Sequence, residues 1–377
     1  MKLNRKILIL ILIILPVFTT GCWDSLDINK QVIVTTIALD FKDGEVYAYA
    51  EFANIKEGKS DEKGLNENKF IYVAARGKTI IEARENLERK FDKRLFTTGI
   101  RTIILSENFS KEHLLEYLYR IRADELYRNK TITVITKDDP EEILKKSNEK
   151  GICAGYYIEN MLDSLEKQGL SFSRPTARIV ENLSSSYTGI LIPCIGLQDE
   201  ISSLTGYSVI FDNKVTGFIP AENSRGLIFI KNGITRFSYN VSYNDNNLTI
   251  DVTMQKKKIK PSYENGAIKF DLEFKLKAKL KYGSKKTPYG YNQKPHDEIN
   301  EILTKTIKDE IIQAIDQSIN EFNCDYLQFD DEFRIKYPTV FDSIKWEDEY
   351  PKITYNVDVK MDLDTNWILD YETDKRG

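Results

Sequence analysis

The sequence has little of the residues from which most catalytic and metal sites are built. Among its 377 residues there are two histidines, His113 and His296, and each is predicted to lie on the surface. The four cysteines lack the short spacings of zinc ligands and are too few for a disulfide scaffold: Cys22, Cys153, Cys194 and Cys324. We therefore predict no metal and no cofactor, and we expect Cys153, Cys194 and Cys324 to be buried free thiols.

Short catalytic motifs are also missing. The segment GYSVI at 206–210 lacks the second glycine of G-x-S-x-G, and neither H-E-x-x-H nor a phosphate-binding G-x-x-x-x-G-K-[ST] occurs. Acidic clusters at 330–332 and 346–350 could in principle supply the paired carboxylates of a glycosidase. Such clusters are common in a chain with 30% charged residues, so the sequence predicts an interaction protein and not an enzyme.

Long apolar runs are absent except at the start of the chain. The run from Ile7 to Phe18 has twelve residues, too few for a membrane-spanning helix of about 20, and it follows Lys2, Arg5 and Lys6. Residues 1–21 therefore resemble a secretory signal that ends in small residues. Because Cys22 comes directly after them, we predict a lipoprotein whose thiol carries a diacylglyceryl group. The alternatives are an uncleaved anchor or a secreted protein with an incidental cysteine.

Positive charge is not in excess. The formal net charge of −4 becomes −7 when residues 1–21 and their three cations are removed. This balance argues against a nucleic-acid partner. Two basic runs, at 255–260 and 269–286, lack the aromatic interleaving of a platform for single-stranded nucleic acid. The second alternates apolar and polar residues, which favours the solvated face of a strand, with contact to anionic lipid headgroups as the alternative.

The first half of the chain alternates strand and helix patterns. A hairpin is predicted around Asp43-Gly44, and Thr79 with Glu82 forms a capping box at a helix start. Strands at 101–105 and 131–136 are followed by helices predicted to begin at Ser110 and near Pro140. We expect an α/β block, closed by a helix at 159–169 and a looser stretch at 171–200.

The second half has mainly strand patterns. Hairpins are predicted at 206–219 and across Asn232-Gly233, followed by a long alternating strand at 268–280, a long helix at 297–322 and a final strand beside the long one. The fold class is therefore α+β, with three mixed domains of sheets packed with helices, the second half being mainly antiparallel strands plus a long C-terminal helix. The predicted divisions are a signal peptide at 1–21, then domains at 22–200, 201–265 and 266–377.

The segment GCWDSLDINKQVIVTTIALD resembles the start of the Ger(x)C family, the lipoprotein C subunits of germinant receptors in spore-forming bacteria. The family has Trp-Asp after the lipidated cysteine, then two residues, an acid and isoleucine; here these are Trp23, Asp24, Asp27 and Ile28 after Cys22. Asp27 replaces the more usual glutamate. Similar segments occur at 75–107, 206–233 and 329–363, although a histidine frequent before the second strand of the first segment and a Gly-Phe-Gly near the long helix are absent.

This resemblance implies a non-catalytic, three-domain α+β protein on the outer face of the inner spore membrane. It would act with A and B membrane subunits of a receptor that senses small nutrients and triggers germination. Trp23 would then lie at the headgroup level, or alternatively in the core of the first domain. Whether this subunit contacts the nutrient is open. Two other classes are a lipid-anchored solute-binding protein that delivers a nutrient to a transporter and a lipid-anchored hydrolase.

Overall fold

A computed structural model describes residues 30–53, 70–123, 130–183, 188–212, 214–283 and 293–364. Its strands form two sheets, one of nine strands and one of four. The predicted α+β class is confirmed, as is the long helix of the second half. The nine-stranded sheet continues to Pro220 and the four-stranded sheet begins at Arg236, while the domain divisions at 200 and 265 stay predictions.

The first sheet has a parallel centre with antiparallel flanks. Its strands are β1 (Gln31–Lys42), β2 (Glu45–Ala53), β3 (Phe70–Gly77), β4 (Arg94–Phe96), β5 (Thr102–Ser106), β6 (Ile132–Thr136), β7 (Ile190–Gln198), β8 (Ile201–Phe211) and β9 (Lys214–Pro220). Strands β1, β5, β6 and β7 run parallel, and the order is β3-β2-β1-β5-β6-β7-β8-β9, with β4 beside the start of β1. The Asp43-Gly44 turn joins β1 to β2 as predicted.

Helices cover both faces of this sheet. One face packs on α1 (Ile80–Glu88), α2 (Glu107–Ala123) and α5 (Thr176–Leu183), and the other on α3 (Pro140–Glu149) and α4 (Ala154–Lys167). Neighbouring residues of β5 therefore belong to different cores, Ile103 to the first and Ile104 to the second. Every residue of β5 and β6 is buried, as expected for parallel strands covered on both faces.

Helix starts agree with the local sequence with one correction. The Thr79 hydroxyl accepts from the Glu82 N–H at 3.1 Å, and the Glu82 carboxylate accepts from the Lys78 N–H at 2.8 Å, so the predicted capping interaction at α1 is present. Asp139 caps α3 at Pro140. The prediction that Ser110 begins α2 was wrong, because Ser106 accepts from the Phe109 N–H one turn earlier.

The second sheet is built from β10 (Arg236–Tyr243), β11 (Asn246–Glu264), β12 (Ala267–Gly283) and β13 (Thr354–Asp364). Strands β10 to β12 are antiparallel. Strand β13 lies beside β12, as predicted for the final strand, and runs parallel to it. One face packs on α7 (Gln293–Asp316), which continues as a π-helix to Glu321. Three shorter helices come next: α8 (Phe329–Lys336), α9 (Pro338–Phe341) and α10 (Trp346–Glu349).

A predicted hairpin strand is instead α6 (Arg225–Lys231), so that prediction was wrong. Residues 226–230 of this helix are all buried. A helix buried on every side shows no 3.6-residue apolar period and cannot be told from a buried strand by pattern. Gly226 permits the burial, since a Cβ there would stand 1.9 Å from the Glu310 carbonyl oxygen of α7.

The two sheets share a core. One cluster of buried residues contains Leu191 and Tyr207 of the first sheet together with Phe274 of the second and Ile311 of α7. The Tyr207 ring stacks on Phe172 at 4.5 Å between centroids, and its hydroxyl accepts from the Phe172 N–H. The second sheet is therefore packed against the first.

Candidate functional sites

The predicted lipidation motif, Cys22 with Trp23, Asp24, Asp27 and Ile28, lies outside the described residues. Strand β1 begins at Gln31, nine positions after Cys22, and its first residues pair with β4. The chain after the motif thus enters the first sheet directly. In the described parts of the chain no helix is both long and apolar enough to cross a bilayer.

Charged and aromatic side chains meet where the parallel strands of the first sheet end. Lys42 donates to the carboxylates of Asp40 at 2.7 Å and Asp139 at 2.9 Å, which joins the end of β1 to the start of α3. Burial alone would lower the pKa of Lys42, but its hydrogen bonds and attraction to the two carboxylates outweigh burial and raise it. Tyr72 donates to Glu141 at 3.1 Å, and burial together with the Glu141 charge raises the pKa of Tyr72 to about 12.

A surface groove of about 560 Å³ opens beside these residues, lined by Phe41, Lys42, Asp43, Asn108, Lys111 and Glu112. Crevices at the carboxyl ends of strands are the usual binding places of open α/β sheets. The groove offers two cations, two carboxylates and one ring, but its walls include no cysteine or serine nucleophile. Across the described residues no group of three potential metal ligands occurs.

Both histidines lie at the surface with part of each ring covered, His113 being 24% exposed and His296 27% exposed. His113 packs edge-on against Phe41, with ring centroids 4.7 Å apart, and lies 3.6 Å from Glu116. His296 lies 2.8 Å from the Leu363 carbonyl oxygen, which joins the start of α7 to the end of β13. Each histidine has a packing role in the fold.

A buried carboxylate, Glu51, organises one face of the first sheet. Its side chain accepts from the hydroxyls of Thr35 and Thr36 and from the N–H groups of Ala154 and Gly155, at the first turn of α4. Glu51 is fully buried. Carboxylates at helix N-termini satisfy backbone donors that have no partner within the helix. Glu51 therefore fixes α4 to β1 and β2.

A second buried polar centre, which we call the junction centre, contains Asp325, Asp330 and Lys231. Asp325 accepts from the N–H groups of Phe329 at 3.0 Å and Asp330 at 2.7 Å, and from the Trp346 indole at 3.1 Å. Burial raises the pKa of Asp325, and the neighbouring Asp330 charge adds to the effect.

The junction centre connects the second half of the chain to the first sheet. The Thr188 hydroxyl, just before β7, donates to Asp330 at 2.7 Å, and the Gly189 N–H donates to the Asp325 carbonyl oxygen at 3.2 Å. Lys231 donates to the Tyr326 carbonyl oxygen and to Gln328. Burial lowers the pKa of Lys231 to about 7, with the nearby Arg174 charge adding to it. A cavity of about 20 Å³ lies beside Lys231, the size of one water molecule.

The junction centre and Glu51 were missed by the sequence analysis. Asp330 appeared there only as a member of the acidic cluster at 330–332. The available signal was a single acid inside the apolar run YAYAEFA, and an aspartate four residues before the helix at Phe329. Cys153, Cys194 and Cys324 are buried and free, as predicted. Burial raises the pKa of all three thiols, which leaves them unreactive.

Two protein-family models together match most of the chain. Residues 24–197 match the family model "Spore germination protein N-terminal domain", and residues 205–366 match "Spore germination B3/ GerAC like, C-terminal". The chain is 23% identical to spore germination protein B3 of Bacillus subtilis over 91% of its length and 93% of the relative's, and 24% identical to spore germination protein A3 over 94% and 96%.

A solved structure, "Crystal Structure of the GerBC protein", is similar in fold. Its TM-score is 0.58 at 17% sequence identity, and the match covers 87% of this chain and 96% of that one. At this identity the likeness concerns the fold alone. The two sheets and the helices that cover them therefore form an arrangement found in another protein.

Proposed function

Because this chain belongs to the GerAC-like family of spore germination proteins, we propose that it is the lipid-anchored C subunit of a nutrient germinant receptor. Its role in spore germination is that of the family. Members of this family are non-catalytic, so the chain is not an enzyme, in agreement with the sequence analysis. The lipid anchor, the A and B membrane subunits and the outer face of the inner spore membrane belong to the proposal.

One observation supports the proposed lipid anchor. The N-terminal family model begins at residue 24, two positions after Cys22, and Cys22 comes after a short basic and apolar segment of the kind that directs export. The family domain therefore begins where a mature lipoprotein would begin. Two acyl chains hold a protein on a bilayer far better than one.

The anchor would keep the first sheet near the bilayer. Lys30, where the described structure begins, lies eight Cα–Cα steps after Cys22. Eight steps span at most about 28 Å whatever the conformation of the chain. Confinement at this distance raises the effective concentration of the subunit beside its membrane partners, so weak protein contacts suffice for assembly. Trp23, next to the anchor, suits the interface between headgroups and acyl chains.

The test compares the native chain with Cys22→Ala, and with Ser25→Ala as a matched control in the same segment. Each is expressed in the spore-forming host and recovered by pull-down from detergent-solubilised spore membranes. We expect the native and Ser25→Ala chains to carry a diacylglyceryl mass on Cys22 and to recover two membrane proteins, the A and B subunits. Cys22→Ala should lose the lipid, the membrane fraction and most of the germination response.

Full germination with Cys22→Ala, and its retention on the membrane, would contradict the anchor. Recovery of no membrane protein by the acylated native chain would contradict the receptor partnership. The solute-binding alternative expects two similar lobes, whereas the two sheets differ in strand number and direction. Tight binding of a nutrient by this chain alone would restore that alternative.

A further inference from the structure

The face of the second sheet that points away from α7 carries more cations than acids. Strands β11, β12 and β13 alternate buried apolar residues with exposed polar ones, and the exposed set is rich in lysine. We call six of these exposed residues the basic stripe: Lys256, Lys258, Lys275, Lys277, Lys279 and Lys360.

The register of the sheet aligns like charges. Lys256 of β11 lies opposite Lys275 of β12, and Lys275 lies opposite Lys360 of β13, so three lysines form one row across three strands. Like charges directly opposite each other destabilise a sheet. This row is therefore not explained by the stability of the fold.

The acids of this face neutralise the stripe only in part. In the register Glu273 lies opposite Lys258, Asp362 lies opposite Lys277, and Asp251 and Asp364 lie on either side of Lys279. Asp251 pairs with Arg236 and Lys281, Asp271 with Lys269, and Glu273 with Lys260. Asp358 pairs with Lys360, which stays 70% exposed. None of the other five stripe lysines forms an ion pair with a carboxylate in the described part of the chain. The cations of this face therefore outnumber its acids, and the row of Lys256, Lys275 and Lys360 has no acid within it.

We propose that the basic stripe docks on the anionic phospholipid headgroups of the bilayer that carries the protein. Charge complementarity is the argument for this occupant, since lysines on a flat strand face present ammonium groups over an area and enclose no pocket. Long lysine stems let the charges reach the headgroup plane while the backbone stays above it. The inference rests on the proposed function in one respect: the anchor at Cys22 brings the face to the bilayer.

Docking would fix the orientation of the molecule on the membrane. An anchor at the start of β1 leaves rotation about the tether free, and a second contact through β11 to β13 removes that freedom. Each basic residue close to an anionic surface strengthens binding by about fivefold, and the attraction falls off within a Debye length. The row of three lysines alone would favour the docked orientation by about a hundredfold.

The experiment uses the native acylated chain on vesicles of phosphatidylcholine alone or of phosphatidylcholine with 30% phosphatidylglycerol. A water-soluble amine reagent labels exposed lysines, and mass spectrometry measures the rate at each position. Lys275 and Lys279 should be labelled at least about fivefold more slowly on the anionic vesicles. The reference lysines Lys214, Lys305 and Lys308 are also exposed and should not change. One molar salt should remove the protection, since the Debye length falls to about 3 Å.

Matched variants distinguish an effect of the basic stripe from an effect of the net charge. Lys256→Glu/Lys275→Glu/Lys360→Glu should abolish protection at Lys279. Lys214→Glu/Lys305→Glu/Lys308→Glu changes the net charge equally and should retain it. Circular dichroism of both variants checks that they are folded.

The possible outcomes distinguish this inference from the anchor. A chain that floats with both vesicles but shows equal labelling overturns the basic stripe and leaves the anchor standing. Flotation with anionic vesicles only, reversed by salt, supports the stripe and contradicts the anchor. Flotation with neither contradicts both. Protection of the reference lysines to the same degree as Lys279 also overturns the stripe.

Discussion

The two sheets of this protein differ in how much of each strand is buried. The first is covered on both faces, so successive residues such as Ile103 and Ile104 of β5 enter different cores. The second is covered on one face, so Phe274 is buried while Lys275 is exposed. Exposed side chains that could serve a surface function therefore occur along whole strands of the second sheet. In the first sheet they occur only at strand ends and on the covering helices.

Both halves nevertheless use a buried carboxylate at the start of a helix. Glu51 projects from a strand and meets α4, whereas Asp325 lies in the chain segment just before α8 and also accepts from the Trp346 indole. Glu51 joins strands and a helix that all belong to the first sheet and its covering helices. Asp325 lies where the two sheets meet, so its loss should disturb both regions.

Removing the Asp325 carboxylate should give the largest effect. Asp325→Ala leaves three buried donors without an acceptor, and we expect the free energy of unfolding to fall by about 4 kcal/mol. Chemical denaturation followed by tryptophan fluorescence measures this. Asp331→Ala is the matched control, since Asp331 is 44% exposed and pairs with Arg334, and it should cost less than about 0.5 kcal/mol. Equal effects of the two changes would contradict the role of the junction centre.

Alanine substitutions at neighbouring strand positions test the difference in coverage directly. Ile103→Ala and Ile104→Ala should each lower the free energy of unfolding by about 3 kcal/mol, because each side chain is buried in its own core. In the second sheet Phe274→Ala should cost about as much or more, while Lys275→Ala should stay within about 0.5 kcal/mol. A small effect at either isoleucine would show that one face of the first sheet is not closed.

Charge reversal within the lysine row should stabilise the second sheet. Lys275→Glu places a carboxylate between Lys256 and Lys360, and we expect a gain of about 0.5 kcal/mol in the free energy of unfolding at low ionic strength. Urea denaturation, which adds no salt, measures the change. The gain should disappear in 1 M sodium chloride, and a loss of stability at low salt would mean that the row is not strained.

The smallest expected effect is a pH dependence at His296. Burial alone would lower the pKa of this imidazole, but its contacts with the Leu363 carbonyl oxygen and Asp297 raise it above the ordinary value near 6.5. The folded state then binds the proton more tightly, so the contribution is present below about pH 6.5 and is lost as the pH rises through the raised pKa. Thermal unfolding between pH 5.5 and 8 should show that the free energy of unfolding falls by a few tenths of a kcal/mol as the pH rises. This change should be absent in His296→Gln.

Where local chemistry decides the structure, the sequence was sufficient. The Thr79 and Glu82 cap, the Asp43-Gly44 turn and the alternation of β12 each act within a few residues, and each was predicted. Helix α6 was mistaken for a strand because its burial comes from α7, about 80 residues further along the chain. Pattern alone carries no information about a neighbour that distant.

The buried polar centres could not be predicted for the same reason. Glu51 receives hydrogen bonds from residues more than 100 positions away, and Asp330 receives one from Thr188 across 142 positions. The inward position of Lys257 was not predicted either, although its cause lies close by in the chain. A bulge between Met254 and Lys256 turns this one member of the basic run inward, where it donates to the Ile230 carbonyl oxygen. Its neighbours Lys256 and Lys258 remain exposed.

Strand β13 has a consequence for crowding on a membrane. Among the described strands it pairs only with β12, so its other edge presents free backbone groups that could recruit an identical strand. Charged side chains occur at alternate positions along this edge strand, namely Asp358, Lys360 and Asp362. Two copies paired antiparallel about a twofold axis at Lys360 would bring equal charges together. The charged edge therefore opposes aggregation between copies held at high density in a plane.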